Sequence, residues 1–149
     1  MVQRLTHGLL ISILFQSCAV SPPKSPENIC DIFREKRSWY KAARRTEKRW
    51  NIPVSVTMAF IYQESSFRAK AKPERRKLLW IIPWKRKSSA KGYAQVIDET
   101  WEQYVKDAGG FFPNRSDFDD AVDFVGWYNS KSHKRLGISK SNAKALYLA

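Results

Sequence analysis

Pro53-Val54-Ser55-Val56-Thr57-Met58-Ala59-Phe60-Ile61-Tyr62-Gln63-Glu64-Ser65-Ser66-Phe67 is the stretch on which the fold turns. Coiled as a helix over about 53–66, it is apolar around most of its circumference, which reads as a central helix buried on nearly every side. Asn51-Ile52-Pro53 breaks and restarts the chain, and the fixed φ of Pro53 suits a first helical position. Val54, Val56 and Thr57 are mediocre helix formers, so packing rather than propensity must hold the segment. Glu64 falls in the last turn, at the mouth of whatever cleft this helix floors. A carboxylate there is either the solvated edge of an amphipathic helix or a partly desolvated acid. In the second case its raised pKa suits proton donation near neutral pH.

Two downstream segments sharpen that choice: Gly92-Tyr93-Ala94-Gln95-Val96 and Gly126-Trp127-Tyr128-Asn129. With Glu64-Ser65 they resemble the ordered three-part signature of lytic transglycosylases with the soluble-lytic-transglycosylase, goose-lysozyme-like catalytic domain. The resemblance spans roughly residues 50 to 149. Tyr93 and Ala94 stand where that family has Leu-Met, and Trp127 stands where it has Ala, departures that leave the key polar residues in place and bear on the shape of the subsites.

The resemblance implies a mainly α, lysozyme-like domain over 28–149 and a peptidoglycan lyase that needs no cofactor. Glu64 would protonate the glycosidic oxygen between N-acetylmuramic acid and N-acetylglucosamine, while the substrate's own N-acetyl group steadies the anomeric centre. The same residue, now a base, would take the proton from the muramyl 6-hydroxyl, closing a 1,6-anhydro ring without water. Ser65 would hydrogen-bond near the acid or the substrate, and Gln95 would bind a sugar N-acetyl or hydroxyl group. Tyr128 would hold Glu64 or the transition state, and Asn129 would fix its segment or contact sugar. A conventional glycosidase needs a second carboxylate. Asp98, Glu99, Asp119, Asp120 and Asp123 are the candidates, each in a context that reads first as a helix cap or first-turn acid.

Composition sets the frame. The 149 residues suffice for one domain with a single core, and 43% are hydrophobic. Twenty-seven basic against 14 acidic residues give a net charge of +13, which draws the protein to anionic partners: nucleic acid, anionic lipid or bacterial wall. His7 and His133 are the two histidines, which leaves a histidine-based metal site and a serine triad unsupported.

The N-terminus reads as an export signal over 1–17, with Arg4 followed by the short apolar core Gly8–Phe15. Gln16-Ser17-Cys18 resembles the lipobox of bacterial lipoproteins, with Phe15 where Leu is usual and a larger residue than typical at Gln16. That reading makes Cys18 the lipidated first residue of the mature chain, and Ala19 after it favours the outer membrane over the inner. Cys30 is then left without a partner, as a small buried residue of the first helix; a Cys18–Cys30 disulfide is the alternative. Residues 18–27, with Pro22, Pro23 and Pro26, have a tether's composition.

Further along, one helical pattern runs from Asn28 to Trp50. Residues 68–91 are irregular and read as an inserted loop or small hairpin around 70–91. Within it the apolar run holding Trp80 and Trp84 lies between basic clusters, suited to a lip over the cleft or to anionic headgroups. Asp98 reads as the N-cap of a helix ending before Gly109-Gly110. Ser116 or Asp117 begins another, and Ser139 or Ser141 a last one that reaches Ala149 in helical register, where related enzymes usually continue.

Three other functions fit parts of this pattern. A lysozyme-type hydrolase would use Glu64 with water as acceptor. A degenerate wall-binding module would keep the fold without the chemistry. A nucleic-acid-binding protein would use the charge and aromatics, but the export signal argues against it.

Overall fold

The computed structural model describes residues 20–73, 75–78, 82–86 and 88–149. Its architecture is mainly helical: α1 (Ile29–Glu35), α2 (Arg37–Trp50), α3 (Val54–Ser65), α4 (Asp98–Asp107), α5 (Phe118–Leu136) and α6 (Ala143–Tyr147). Between α3 and α4 lies an antiparallel hairpin, β1 (Arg75–Leu78) with β2 (Ile82–Arg86), in which Lys77 pairs with Pro83 and Leu78 with Ile82. Of the inserted loop or small hairpin expected around 70–91, the described residues form the hairpin. The reading of Trp80 as a membrane contact, and that of Cys18, lie outside the described residues.

The segment after Trp50 forms α3 as its composition requires. Pro53 takes φ −57° as the N-cap residue, and Ser66 closes the helix in the left-handed region at φ 48°. Val56, Thr57, Met58, Phe60 and Ile61 are all buried, so contacts on several sides supply the stability that β-branched residues do not. α3 packs against α2, α5 and α6.

The expected single helix over 28–50 is two. Lys36, at φ −119° and ψ 70°, leaves the helical region and separates α1 from α2. The bend sinks Ile32 into the core while Trp39, Ala42 and Ala43 of α2 are buried and Trp39 stacks on Phe118 of α5 at 4.0 Å. Cys30, expected to be buried, is exposed with a free thiol. Residues 20–28 lie on the body rather than hanging from it as a tether. Pro23 is buried, and the Lys24 amide donates to Glu35 at 3.0 Å.

The long α2–α5 seam is set by a glycine. A Cβ on Gly126 would meet Trp50 Cδ1 at 2.5 Å and Thr46 Cγ2 at 2.6 Å, so no larger residue lets the helices approach this closely. Arg45 and Arg49 of α2 then reach Asp119 and Asp123 of α5 at 2.8 and 2.7 Å. Asp117 caps α5, accepting from the amides of Asp119 and Asp120. α4 starts one residue earlier than expected: Ile97 is its N-cap, and Asp98 sits inside the first turn with its carboxylate on Arg115. The last helix, begun by Asn142, is a single short turn and a half whose Leu146 is buried.

Gly126→Ala should lower stability by about 1–3 kcal/mol, the usual cost of overpacking a closed seam. Chemical denaturation checks this as a lower midpoint at unchanged slope.

Candidate active site

Two open hollows, of about 540 and 350 Å³, meet at Glu64 and Gln95, the residues that line both. Volumes in this range are those of ligand sites. The first hollow continues along Arg68–Lys72 and is closed at one side by Val20 and Pro22. The second is walled by Phe60, Val96, Phe124, Tyr128 and Tyr147. Glu64 therefore stands at the middle of one cleft, half-buried in the last turn of α3.

Burial pushes the Glu64 carboxyl above its ordinary range, and the Tyr147 hydroxyl, acting on it as a hydrogen-bond donor, pulls it partly back. The net shift is upward because desolvation is the larger effect. Tyr147 is held for this task by its neighbours: Leu146 anchors α6 in the core, and the Tyr147 ring meets Phe60 edge-on at 5.3 Å.

The turn bearing Gln95 is built by close backbone approach. Gly92 takes φ +83°, and a Cβ there would lie 2.0 Å from the Arg115 carbonyl oxygen. The Gly92 amide donates to Ala71 O at 3.0 Å, and Gln95 Nε2 donates to Ala71 O at 2.9 Å and to Gly92 O at 2.7 Å. Gln95, at φ +46°, is thus fixed by its amide nitrogen. Arg115 clamps the far side, donating to Val96 O at 2.8 Å while its other nitrogen pairs with Asp98.

The residues singled out in the sequence divide here. Glu64, Gln95 and Tyr128 share the cleft, with Tyr128 over a third exposed and its ring stacked on Phe124 at 5.9 Å. Ser65 does not join them: it is buried, and its hydroxyl donates back to Ile61 O at 3.2 Å. Asn129 is wholly buried, with neither side-chain polar atom hydrogen-bonded. The hydroxyl that acts on Glu64 belongs to Tyr147 of the last helix, outside the three sequence motifs. A tyrosine beside the buried Leu146, on the turn that closes over α3, was the available signal.

None of the five candidate second carboxylates lines the cleft with Glu64. Asp98 pairs with Arg115 and Asp119 with Arg45. Asp120 accepts from the Asn114 amide at 2.7 Å, and Asp123 accepts from Arg49, Trp50 and Tyr104. Glu99 is exposed in the first turn of α4. Glu64 is the one carboxylate side chain on either hollow among the described residues, and those residues hold no cluster suited to a metal ion.

Comparison with known families bears on this arrangement. The transglycosylase SLT domain family matches residues 6–149, and the chain belongs to that family. It matches no curated protein and no solved structure.

The raised Glu64 pKa carries a stability consequence with a definite sign. A carboxyl whose folded pKa lies above its unfolded value favours the fold below the unfolded value and loses that contribution as pH rises through the folded pKa. Glu64→Gln should therefore raise the melting temperature at pH 7–8. The gain should vanish below about pH 4, where the wild-type carboxyl is also neutral; melting curves of both proteins across pH check it.

Proposed function

We propose that this protein is a peptidoglycan lytic transglycosylase that cleaves the β-1,4 bond between N-acetylmuramic acid and N-acetylglucosamine and leaves a 1,6-anhydromuramyl end. The observation that carries the reading is a partly desolvated carboxylate at the centre of an open cleft, the one carboxylate side chain there among the described residues, in a chain of the transglycosylase SLT domain family. A single acid suits a reaction in which one group gives a proton and takes one back. A two-carboxylate mechanism would need a second carboxylate side chain, and the described residues of the cleft walls offer none.

In this mechanism the acid form of Glu64, favoured by desolvation, protonates the leaving oxygen. The N-acetyl group of the muramyl sugar attacks or shields the anomeric carbon from within the substrate. The Glu64 carboxylate then withdraws the proton from the muramyl 6-hydroxyl as that oxygen bonds to C1, so proton and charge both return to their starting state. Tyr147 steadies the carboxylate in the interval when it is charged, because its hydroxyl donates to the ionised form. Gln95 presents its amide oxygen to the sugar, its nitrogen being committed to Ala71 and Gly92. Tyr128 offers an exposed ring to a sugar face. Ser65 and Asn129 act as positioning residues, the first stitched to α3 and the second buried within α5.

The reading extends to place. The N-terminal pattern supports export and lipidation at Cys18, on the periplasmic side of the outer membrane. Val20 lines the cleft. Two residues span at most about 7 Å, so a lipid on Cys18 would hold the cleft itself close to the bilayer surface.

Digestion of purified peptidoglycan followed by mass spectrometry tests the reaction. Wild type should release fragments with 1,6-anhydromuramyl ends and Glu64→Gln none. Reducing ends would instead make the protein a hydrolase, and wall binding without products a binding module. Tyr147→Phe should slow the reaction by roughly 10–100-fold. Because it removes the donor that lowers the Glu64 pKa, it should also shift the alkaline limb of the pH–rate profile upward. The rate falls on that limb because the acid form of Glu64 is lost.

A further inference from the structure

The two arms of the cleft differ in charge. Arg68, Lys70 and Lys72 line the first hollow together with Glu64, and none of the three pairs with an acid among the described residues. In the second hollow Glu64 is the only charged side chain among the described residues, and apart from Gln95 and Thr100 the walls are aromatic and aliphatic. Elsewhere on the body Arg45, Arg49, Arg115 and Lys131 hold carboxylates, while others such as Lys41, Lys106 and Lys134 pair with no acid among the described residues but line neither hollow. The cations that line the cleft thus all lie in one of its two arms.

Their backbone is also fixed. Ser66 and Phe67 both take positive φ, at 48° and 62°, and turn the chain out of α3. The buried Phe67 ring stacks on Trp39 at 5.7 Å. Arg68 Nε donates to Ser65 O at 2.9 Å, which steers the guanidinium, and the Ala71 carbonyl is bound by both Gly92 and Gln95. The basic arm is part of the same scaffold that holds the site.

These cations do not serve Glu64. Its carboxyl is governed by burial and by Tyr147, and none of the three basic groups pairs with it. An anion brought in by the ligand is what remains for them to meet.

We propose that the arm formed by Arg68, Lys70 and Lys72 is a carboxylate-binding subsite that takes the muramyl side of the strand, leaving the neutral sugar to the aromatic arm beside Tyr128. This rests on peptidoglycan as the substrate. Of the two sugars only the muramyl unit carries carboxylates, either on its peptide stem or, where the stem has been removed, on its own lactyl group. A fixed guanidinium and two flexible ammonium groups match a carboxylate whose position varies between strands. The arrangement sets the direction in which a strand lies across Glu64.

Binding and cleavage are measured separately to test this. Three soluble strands serve as probes: one with peptide stems, one stripped by an amidase to free lactyl carboxylates, and one stripped and then capped as neutral amides. In the Glu64→Gln background, calorimetry should find the capped strand bound most weakly. Adding Arg68→Gln, Lys70→Gln and Lys72→Gln should weaken binding of the carboxylate-bearing strands about tenfold or more and leave the capped strand unchanged. Lys70→Gln with Lys72→Gln alone, which spares the Arg68 contact to α3, should give part of the same loss in a protein of unchanged melting temperature. Preference for the stem-bearing strand identifies the stem carboxylates, and preference for the stripped strand identifies the lactyl group. Equal binding of all strands by the substituted and unsubstituted proteins overturns the subsite. So does an equal loss from Lys41→Gln, Lys106→Gln and Lys134→Gln, which remove the same charge outside the cleft. If wild type releases no product while binding still depends on the three cations, the transglycosylase reading falls and the subsite stands.

Discussion

Asp123 ties three helices together at one carboxylate. Its Oδ2 accepts from Arg49 Nη1 at 2.7 Å and from the Tyr104 hydroxyl at 2.9 Å, and its Oδ1 accepts from Trp50 Nε1 at 2.8 Å. Arg49 also donates to the Ala108 carbonyl at the end of α4. One side chain of α5 thereby fixes the ends of α2 and α4, and the tyrosine it holds has its pKa driven upward, mainly by burial and then by the adjacent charge. The cost of placing a carboxylate in this half-buried position is met by charge-assisted donors on both oxygens. With α2 and α5 locked at the distance Gly126 permits, α3 has a rigid bed, and Glu64 at its end has a defined position relative to everything else.

The cleft then follows from two backbone approaches on opposite sides of α3. On one side the Gly92–Val96 turn is pressed against Arg115 and sewn to Ala71, which brings Gln95 to the acid. On the other, His133 and Gly137 turn the chain out of α5, Lys140 donates to the Trp50 carbonyl at 3.1 Å, and α6 arrives with Tyr147 over Phe60. Neither α6 nor the turn is long enough to be stable alone. Each is a consequence of the bed beneath it, and this is why the site residues come from three separate parts of the chain.

How much of this the sequence carries depends on whether the controlling interaction is local. The buried helix ending at Glu64 is written in its own composition, and the glycines of the two downstream motifs report tight places that the structure explains through Arg115 and Trp50. Asp117 caps α5 as its spacing indicates. The break at Lys36 has no glycine or proline to mark it; it arises because Ile32 and Trp39 must both reach the core, a demand made by tertiary packing alone. Asp98 looks like a cap from its neighbours but is claimed by Arg115, seventeen positions away in sequence. Ser65 adjoins the acid in sequence, yet consecutive residues on a helix point about 100° apart, so its hydroxyl turns inward to Ile61. Tyr147 lies more than eighty residues from Glu64 and meets it only through the docking of α6.

The charge of the chain acquires a specific meaning in this light. A surplus of thirteen positive charges draws the protein to any polyanion and carries no positional information. Around Glu64 the distribution is different: the carboxyl is lifted by burial, untouched by the nearby cations, and relieved only by one neutral hydroxyl. Had Arg68 or Lys70 approached it, the ion pair would have lowered its pKa and weakened it as a proton donor. Cations that line the cleft without pairing with the acid leave its raised pKa in place and positive charge free for a ligand. The left-handed turn at Ser66 and Phe67 ends α3, and Arg68 Nε donates back to the Ser65 carbonyl rather than to the acid.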